Sequence, residues 1–144
     1  MNDADERINV ARQWVQKAEN DLRTAAQTLK LKRDCPTDNV CFHAQQSVEK
    51  YLKALLLTSL IDFPRTHDLG ELVARLPEGM HVPLTEQDQD RLTEYATTTR
   101  YPGDYEPISM EEARRAVRLA RKFRLVARKA LESKCHRQSL RTKL

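Results

Sequence analysis

Apolar residues recur along this chain at helical spacing almost from its start. Ala11, Trp14, Val15, Ala18, Leu22, Ala25, Ala26 and Leu29 follow an i, i+3, i+4, i+7 rhythm and predict a helix from about Asp5 to Lys32. Asp34-Cys35-Pro36-Thr37-Asp38 reads as a turn, with Pro36 ending the first helix and Thr37 or Asp38 placed to cap a second. That second helix, reaching about Leu60, is the densest apolar run of the chain. Cys41, Ala44, Val48, Tyr51, Leu52 and Leu55 share one broad arc, widened by Phe42 and Leu56, while His43, Gln46, Lys50 and Lys53 cluster opposite. Gln45 and Glu49 break the pattern. They sit one turn apart inside the apolar arc, where an amide and a carboxylate cost stability unless partnered.

Three further helices follow. Ile61 to Asp68 forms a connection, and Thr66 is the expected N-cap of a short helix bearing Leu69, Leu72, Val73 and Leu76, with Asp68 in its first turn. Pro77 to Pro83 ends that helix. Thr85 with Asp88 resembles a capping box for a fourth helix running to about Thr98. Arg100-Tyr101-Pro102-Gly103-Asp104-Tyr105-Glu106-Pro107 is a second connection, dense in turn formers and aromatics. Ser109 and Glu112 form a capping box for a last helix carrying Ala113, Ala116, Val117, Ala120, Phe123, Val126, Ala127, Ala130 and Leu131. The fold class is therefore all-α, an antiparallel up-and-down bundle of four to five helices. Residues 1–132 form its single domain, and 133–144 are a basic, flexible tail.

Composition agrees. Three Gly in 144 residues and a 32% charged fraction suit helices rather than sheets. No stretch has the apolar length of a membrane span, and the acidic N-terminus lacks the apolar core of a signal peptide. An odd number of cysteines, Cys35, Cys41 and Cys135, without paired metal-ligand spacing, fits a reduced cytoplasm. Charge is unevenly spread. Met110 to Leu144 carries +9 and the rest −5, within a total of +4. A basic C-terminal part on an acidic body suits nucleic acid, an acidic partner or a second copy of the chain.

Candidate chemistry is sparse. There is no phosphate-binding glycine loop, HExxH, CxxC or nucleophile elbow, so standard kinase, metalloenzyme and hydrolase readings are unsupported. Cys41 and His43 point apart on a helix, which leaves no metal site, and no cofactor is expected. Gln45 and Glu49 read equally as a site, a satisfied core pair or a dimer seam. His67, near a helix start with Arg65 and Asp68, reads as an acid–base group or as a locally bonded side chain. Arg100 is suited to phosphate, Tyr101 and Tyr105 offer stacking faces, and Asp104 adds a carboxylate; the alternative is a tight turn with Tyr packed over Pro. The basic last helix reads as a solvated face or as an RNA surface.

Taken together, Phe42 to Leu56, the run Pro64-Arg65-Thr66-His67-Asp68-Leu69, and Arg100-Tyr101-Pro102 resemble the HEPN domain family, and more narrowly its prokaryotic members encoded beside minimal nucleotidyltransferases. The resemblance covers about Ala11 to Ala130. It implies a four- to five-helix bundle, a homodimer, and a minimal nucleotidyltransferase partner in a toxin–antitoxin-type pair whose toxin is the HEPN component. Relatives include metal-independent ribonucleases with an Arg followed after four to six residues by His, and others thought to bind nucleotides. Residue chemistry and the resemblance together name Arg100, Tyr101, Asp104, Arg65 and His67 as the candidates for nucleotide or RNA binding. In this chain no His follows Arg100 at that spacing, and Tyr105 stands at the fifth position. The rival readings are a ribonuclease toxin using Arg100 with Tyr105, His43 or His67, and a non-catalytic interaction scaffold.

Overall fold

Good helix formers at amphipathic spacing, broken by proline and by capping side chains, give the chain its elements. The computed structural model describes residues 3–98 and 101–142, with side chains as far as Lys134. Helix α1 spans Asp3–Thr28 and passes into a 3₁₀ segment, Leu29–Asp34. The apolar rhythm predicted one helix as far as Lys32; instead Lys32 turns to a φ of +54° and redirects the chain toward Pro36. Helix α2 spans Thr37–Thr58, α3 Leu69–Ala74, α4 Glu86–Thr97 and α5 Met110–Thr142. The backbone of α5 stays helical past Ser133, where the sequence reading placed the start of a tail. The architecture is all-α, and no strand occurs among the described residues.

Caps account for several boundaries. Thr85 and Asp88 complete a capping box at α4, each side chain bonding the other residue's backbone. Ser109 Oγ accepts from the Glu112 amide at 3.0 Å and opens α5. Two expectations need correction. Pro36, not Thr37 or Asp38, occupies the N-cap of α2, and no side chain caps it. The Thr37 hydroxyl instead donates to the Ile108 carbonyl at 2.7 Å, fastening the start of α2 to the approach of α5. Asp68, not Thr66, caps α3 by accepting from the Glu71 amide at 3.2 Å. Thr66 Oγ1 accepts from the Asp68 amide and shapes the approach.

Side-chain partners fix the helix directions. Asp21 on α1 meets His43 and Lys50 on α2, while Glu19 meets Tyr51, so α1 and α2 run antiparallel. Asp88 pairs with Arg115 and Arg91 with Glu112, which sets α4 antiparallel to α5. Helix α2 is the axis. Val40, Cys41, Ala44, Val48, Tyr51, Leu52, Leu55 and Leu56 are buried, packed with Leu22 and Ala25 of α1, Leu92 of α4 and Phe123 and Ala127 of α5. Its polar face is covered as well. Gln46 and Lys53, which periodicity places opposite the apolar arc, are buried, and His43 and Lys50 are half-buried beside Asp21.

A charge cluster ties the two ends of the sequence together. The Glu19 carboxylate accepts from Arg124 Nε at 2.8 Å, Arg128 Nη1 at 2.7 Å and the Tyr51 hydroxyl. Burial alone would raise its carboxyl, but the hydrogen bonds from Tyr51, Arg128 and Arg124 outweigh burial and hold it below the ordinary range. No helix among the described residues is long and apolar enough to cross a membrane.

Candidate functional site

The two polar residues inside the apolar arc of α2 begin a connected network. Gln45, Glu49 and Lys53 stand at successive i+4 positions, so their side chains stack along one face. Lys53 Nζ donates to Glu49 Oε2 at 3.0 Å. Glu49 Oε1 accepts from Gln45 Nε2 at 3.1 Å and faces His67 Nδ1 at 2.7 Å. The Gln45 amide also donates to the His67 carbonyl at 3.1 Å and accepts from Gln46 Nε2 at 2.7 Å. The Lys53 ammonium lies 5.2 Å from the centre of the Trp14 ring, a cation–π contact that helps hold a buried cation. Gln45 and Glu49 are buried within a single chain, and every polar group of the pair has a partner.

His67 behaves differently from its neighbours. Its side chain is 55% exposed while its Nδ1 is fastened to a carboxylate with 3% exposure. The bond to Glu49 assigns the hydrogen to Nδ1 and leaves Nε2 on the outer edge of the ring. A carboxylate that orients an imidazole in this way prepares Nε2 to accept a proton or a hydrogen bond from a ligand. The segment is held firmly, because the Leu69 amide donates to Thr93 Oγ1 of α4 at 3.0 Å. Arg65, two residues away, is exposed. His43 lies elsewhere, its Nδ1 2.9 Å from Asp21 Oδ1.

The connection between α4 and α5 presents the other predicted residues. The Asp104 amide donates to the Tyr101 carbonyl at 3.1 Å, with Gly103 at a φ of +92°. Pro102 and Gly103 therefore occupy the central positions of a tight turn, the second of which requires the left-handed region. Tyr101, Asp104 and Tyr105 are exposed. Arg100 lies outside the described residues.

Beside this connection a cleft of about 530 Å³ opens between α4 and α5, lined among others by Asp88, Arg91, Tyr95, Ser109, Arg115 and Arg118. Arg91 Nη1 lies 2.6 Å from Glu112 Oε1, which also accepts from the Tyr95 hydroxyl at 2.9 Å. Arg115 Nη2 reaches Asp88 Oδ1 at 3.2 Å. Burial works to raise the Asp88 carboxyl; bonds from Thr85 and Arg115 overcome it and keep the group below the usual range. Burial, then the neighbouring Cys41 and Glu112, push the Tyr95 phenol well up, so it stays a donor. The lining also includes Glu111 and Glu112, so three guanidinium groups stand against three carboxylates; Arg91 and Arg115 are paired, and Arg118, exposed and without an ion pair among the described residues, is the guanidinium open to a phosphate-bearing ligand. Among the described residues, no group of His, Cys, Asp and Glu could hold a metal ion.

Structure thus brings Gln45, Glu49 and His67 into one cluster and leaves Tyr101, Asp104 and Tyr105 on a separate connection. Sequence reasoning missed Lys53, whose i+4 spacing from Glu49 was the available signal, and it missed the Arg91, Tyr95 and Arg115 cleft.

A family model described as HEPN domain matches residues 11–130. Among solved structures, the chain is similar to the crystal structure of TT1696 from Thermus thermophilus. The two are 32% identical, with a TM-score of 0.70, over 83% of this chain and 97% of that one. No curated protein matches the sequence.

Proposed function

This chain belongs to the HEPN domain family, and we propose that it works beside a minimal nucleotidyltransferase as the HEPN component of a toxin–antitoxin-type pair, binding nucleotide or RNA phosphate between α4 and α5. The observation that carries the binding part is the α4–α5 cleft, in which Arg118 has no ion pair among the described residues while Arg91 and Arg115 are positioned by Glu112 and Asp88. Tyr95 and Ser109, on either side of the connection that contains Arg100, both line it. A phosphate there meets Arg115 and Arg118, and a base or ribose can rest on the exposed faces of Tyr101 or Tyr105. The protein is proposed to act in the cytoplasm as a homodimer, which light scattering at tens of micromolar checks directly.

The deciding experiment titrates wild type, Arg100→Ala, Arg100→Lys and Arg115→Ala with ATP and a short RNA at fixed salt, with circular dichroism as the folding control. All three variants are expected to bind more weakly. The Lys variant is included because an ammonium cannot reproduce the guanidinium fork. Equal affinities across the set would leave partner docking as the function. Co-expression with a nucleotidyltransferase encoded beside this protein tests the pairing.

A second reading, a metal-independent ribonuclease, draws on His67. Glu49 holds its Nδ1 while the side chain stays 55% exposed, which supplies an imidazole that the stretch after Arg100 lacks.

A further inference from the structure

A second concave surface lies apart from the α4–α5 cleft. On the opposite side of α5, a groove of about 360 Å³ runs between α1 and α5. Its apolar lining is Leu22, Ala26 and Leu125, and its charged rim is Arg23, Arg121 and Arg124 with Glu19. Glu19 is already engaged by Tyr51, Arg124 and Arg128. Among the described residues, Arg23 and Arg121 have no ion pair. Leu125 is 66% exposed although it lies in the middle of these cations. Helical spacing puts Lys122 and Lys129 on the same side of α5 as Leu125, and both are exposed.

A single exposed leucine is ordinary on a charged surface, but Leu125 shares its groove with Leu22 and Ala26, so the apolar lining spans two helices. A surface for single-stranded nucleic acid offers aromatic stacking platforms, and none lines this groove. An aliphatic floor surrounded by arginines is instead the anatomy of a protein-binding patch, apolar at the core and charged at the rim. The spare charge is entirely positive, so the complementary partner is negative.

We propose that the α1–α5 groove docks an acidic amphipathic helix of a partner protein, one apolar side chain entering against Leu22, Ala26 and Leu125 while carboxylates pair with Arg23 and Arg121. Such a helix lies along the groove with anchors spaced i, i+4, i+7. The site shares no residue with the nucleotide reading tested at Arg100 and Arg115, so the two succeed or fail separately.

The test uses the full chain and a synthetic 18-residue helical peptide of Glu and Leu, with a counterpart in which Lys replaces every Glu, followed by fluorescence anisotropy at low and high salt. The acidic peptide is expected to bind, more weakly as salt rises, and the Lys peptide is not. Leu125→Asp and Arg121→Glu are each expected to lower affinity at least about tenfold. Both residues are exposed and outside the Glu19 cluster, so unchanged circular dichroism is expected and confirms folding. No binding of the acidic peptide, equal binding of both peptides, or full binding by Leu125→Asp overturns the proposal. Self-association of wild type that Leu125→Asp abolishes would give the groove to a second copy and also overturns it. So would RNA binding lost in Arg121→Glu and kept in Leu125→Asp.

Discussion

His67 Nδ1 lies 2.7 Å from Glu49 Oε1, fastening a half-exposed imidazole on a connecting segment to a carboxylate buried on the central helix. The same carboxylate neutralises Lys53, which is almost as deeply buried. One side chain therefore stabilises the interior and aims a titratable ring at the surface.

Removing that carboxylate should be costly. Glu49→Ala leaves the Lys53 ammonium buried without its counter-ion, and a broken buried pair costs about 3–5 kcal/mol. His67→Ala loses one hydrogen bond from a ring that water already reaches, so about 1 kcal/mol is expected. Urea unfolding of both variants at neutral pH checks the contrast, and similar midpoints for the two would remove Glu49 from the centre of the network.

The Glu19 cluster is expected to respond asymmetrically. Tyr51 is fully buried and its hydroxyl donates to a carboxylate that Arg124 and Arg128 also hold. Tyr51→Phe removes one charge-assisted bond, about 1.5–2 kcal/mol. Glu19→Ala should cost more, because it strands the buried hydroxyl and both guanidinium groups together. Thermal unfolding of the two variants ranks them; a Phe variant less stable than the Glu19→Ala variant would contradict the cluster.

Acid should weaken the fold through two identified carboxylates. Glu19 and Asp88 both hold their protons less tightly when folded than an ordinary carboxyl does. The unfolded chain therefore takes up protons first as pH falls. Their stabilising contribution is complete above about pH 5 and is lost as pH drops through the ordinary carboxylate range near 4 toward their lowered folded values. A double variant, Glu19→Gln with Asp88→Asn, should be less stable at neutral pH and show a shallower loss of stability below about pH 5. An unchanged acid slope would show that other carboxyls dominate.

Any RNA cleavage by the purified chain is expected to be slow, insensitive to EDTA and abolished by His67→Ala. The reason is that the stretch after Arg100 has no His at the ribonuclease spacing, while the His67 ring is half-exposed and held at Nδ1 by Glu49. Rapid cleavage that EDTA stops would contradict both the metal-free chemistry and the part assigned to His67.

Helix positions, the buried arc of α2 and the burial of Gln45 and Glu49 were legible in the residue pattern. Amphipathic periodicity and capping boxes such as Thr85 with Asp88 are local properties, encoded within a turn or two of the residues they govern. The sequence also carried the family, through the runs at Phe42–Leu56 and Pro64–Leu69. Other features depended on neighbours far away in the chain. Lys53 and Gln46 sit on the polar side of α2 by periodicity, yet both are buried, Lys53 against Trp14 of α1 and Glu49. Asp68 holds the cap expected of Thr66, and the Leu69 amide that a Thr66 cap would engage donates instead to Thr93 on α4. Glu19 chose Arg124 from among many basic residues, 105 positions distant, and the α4–α5 cleft and the α1–α5 groove exist only where two helices meet. A charge in a sequence records what a side chain can bond, while its partner is selected by which helices pack side by side, and that selection belongs to the tertiary fold.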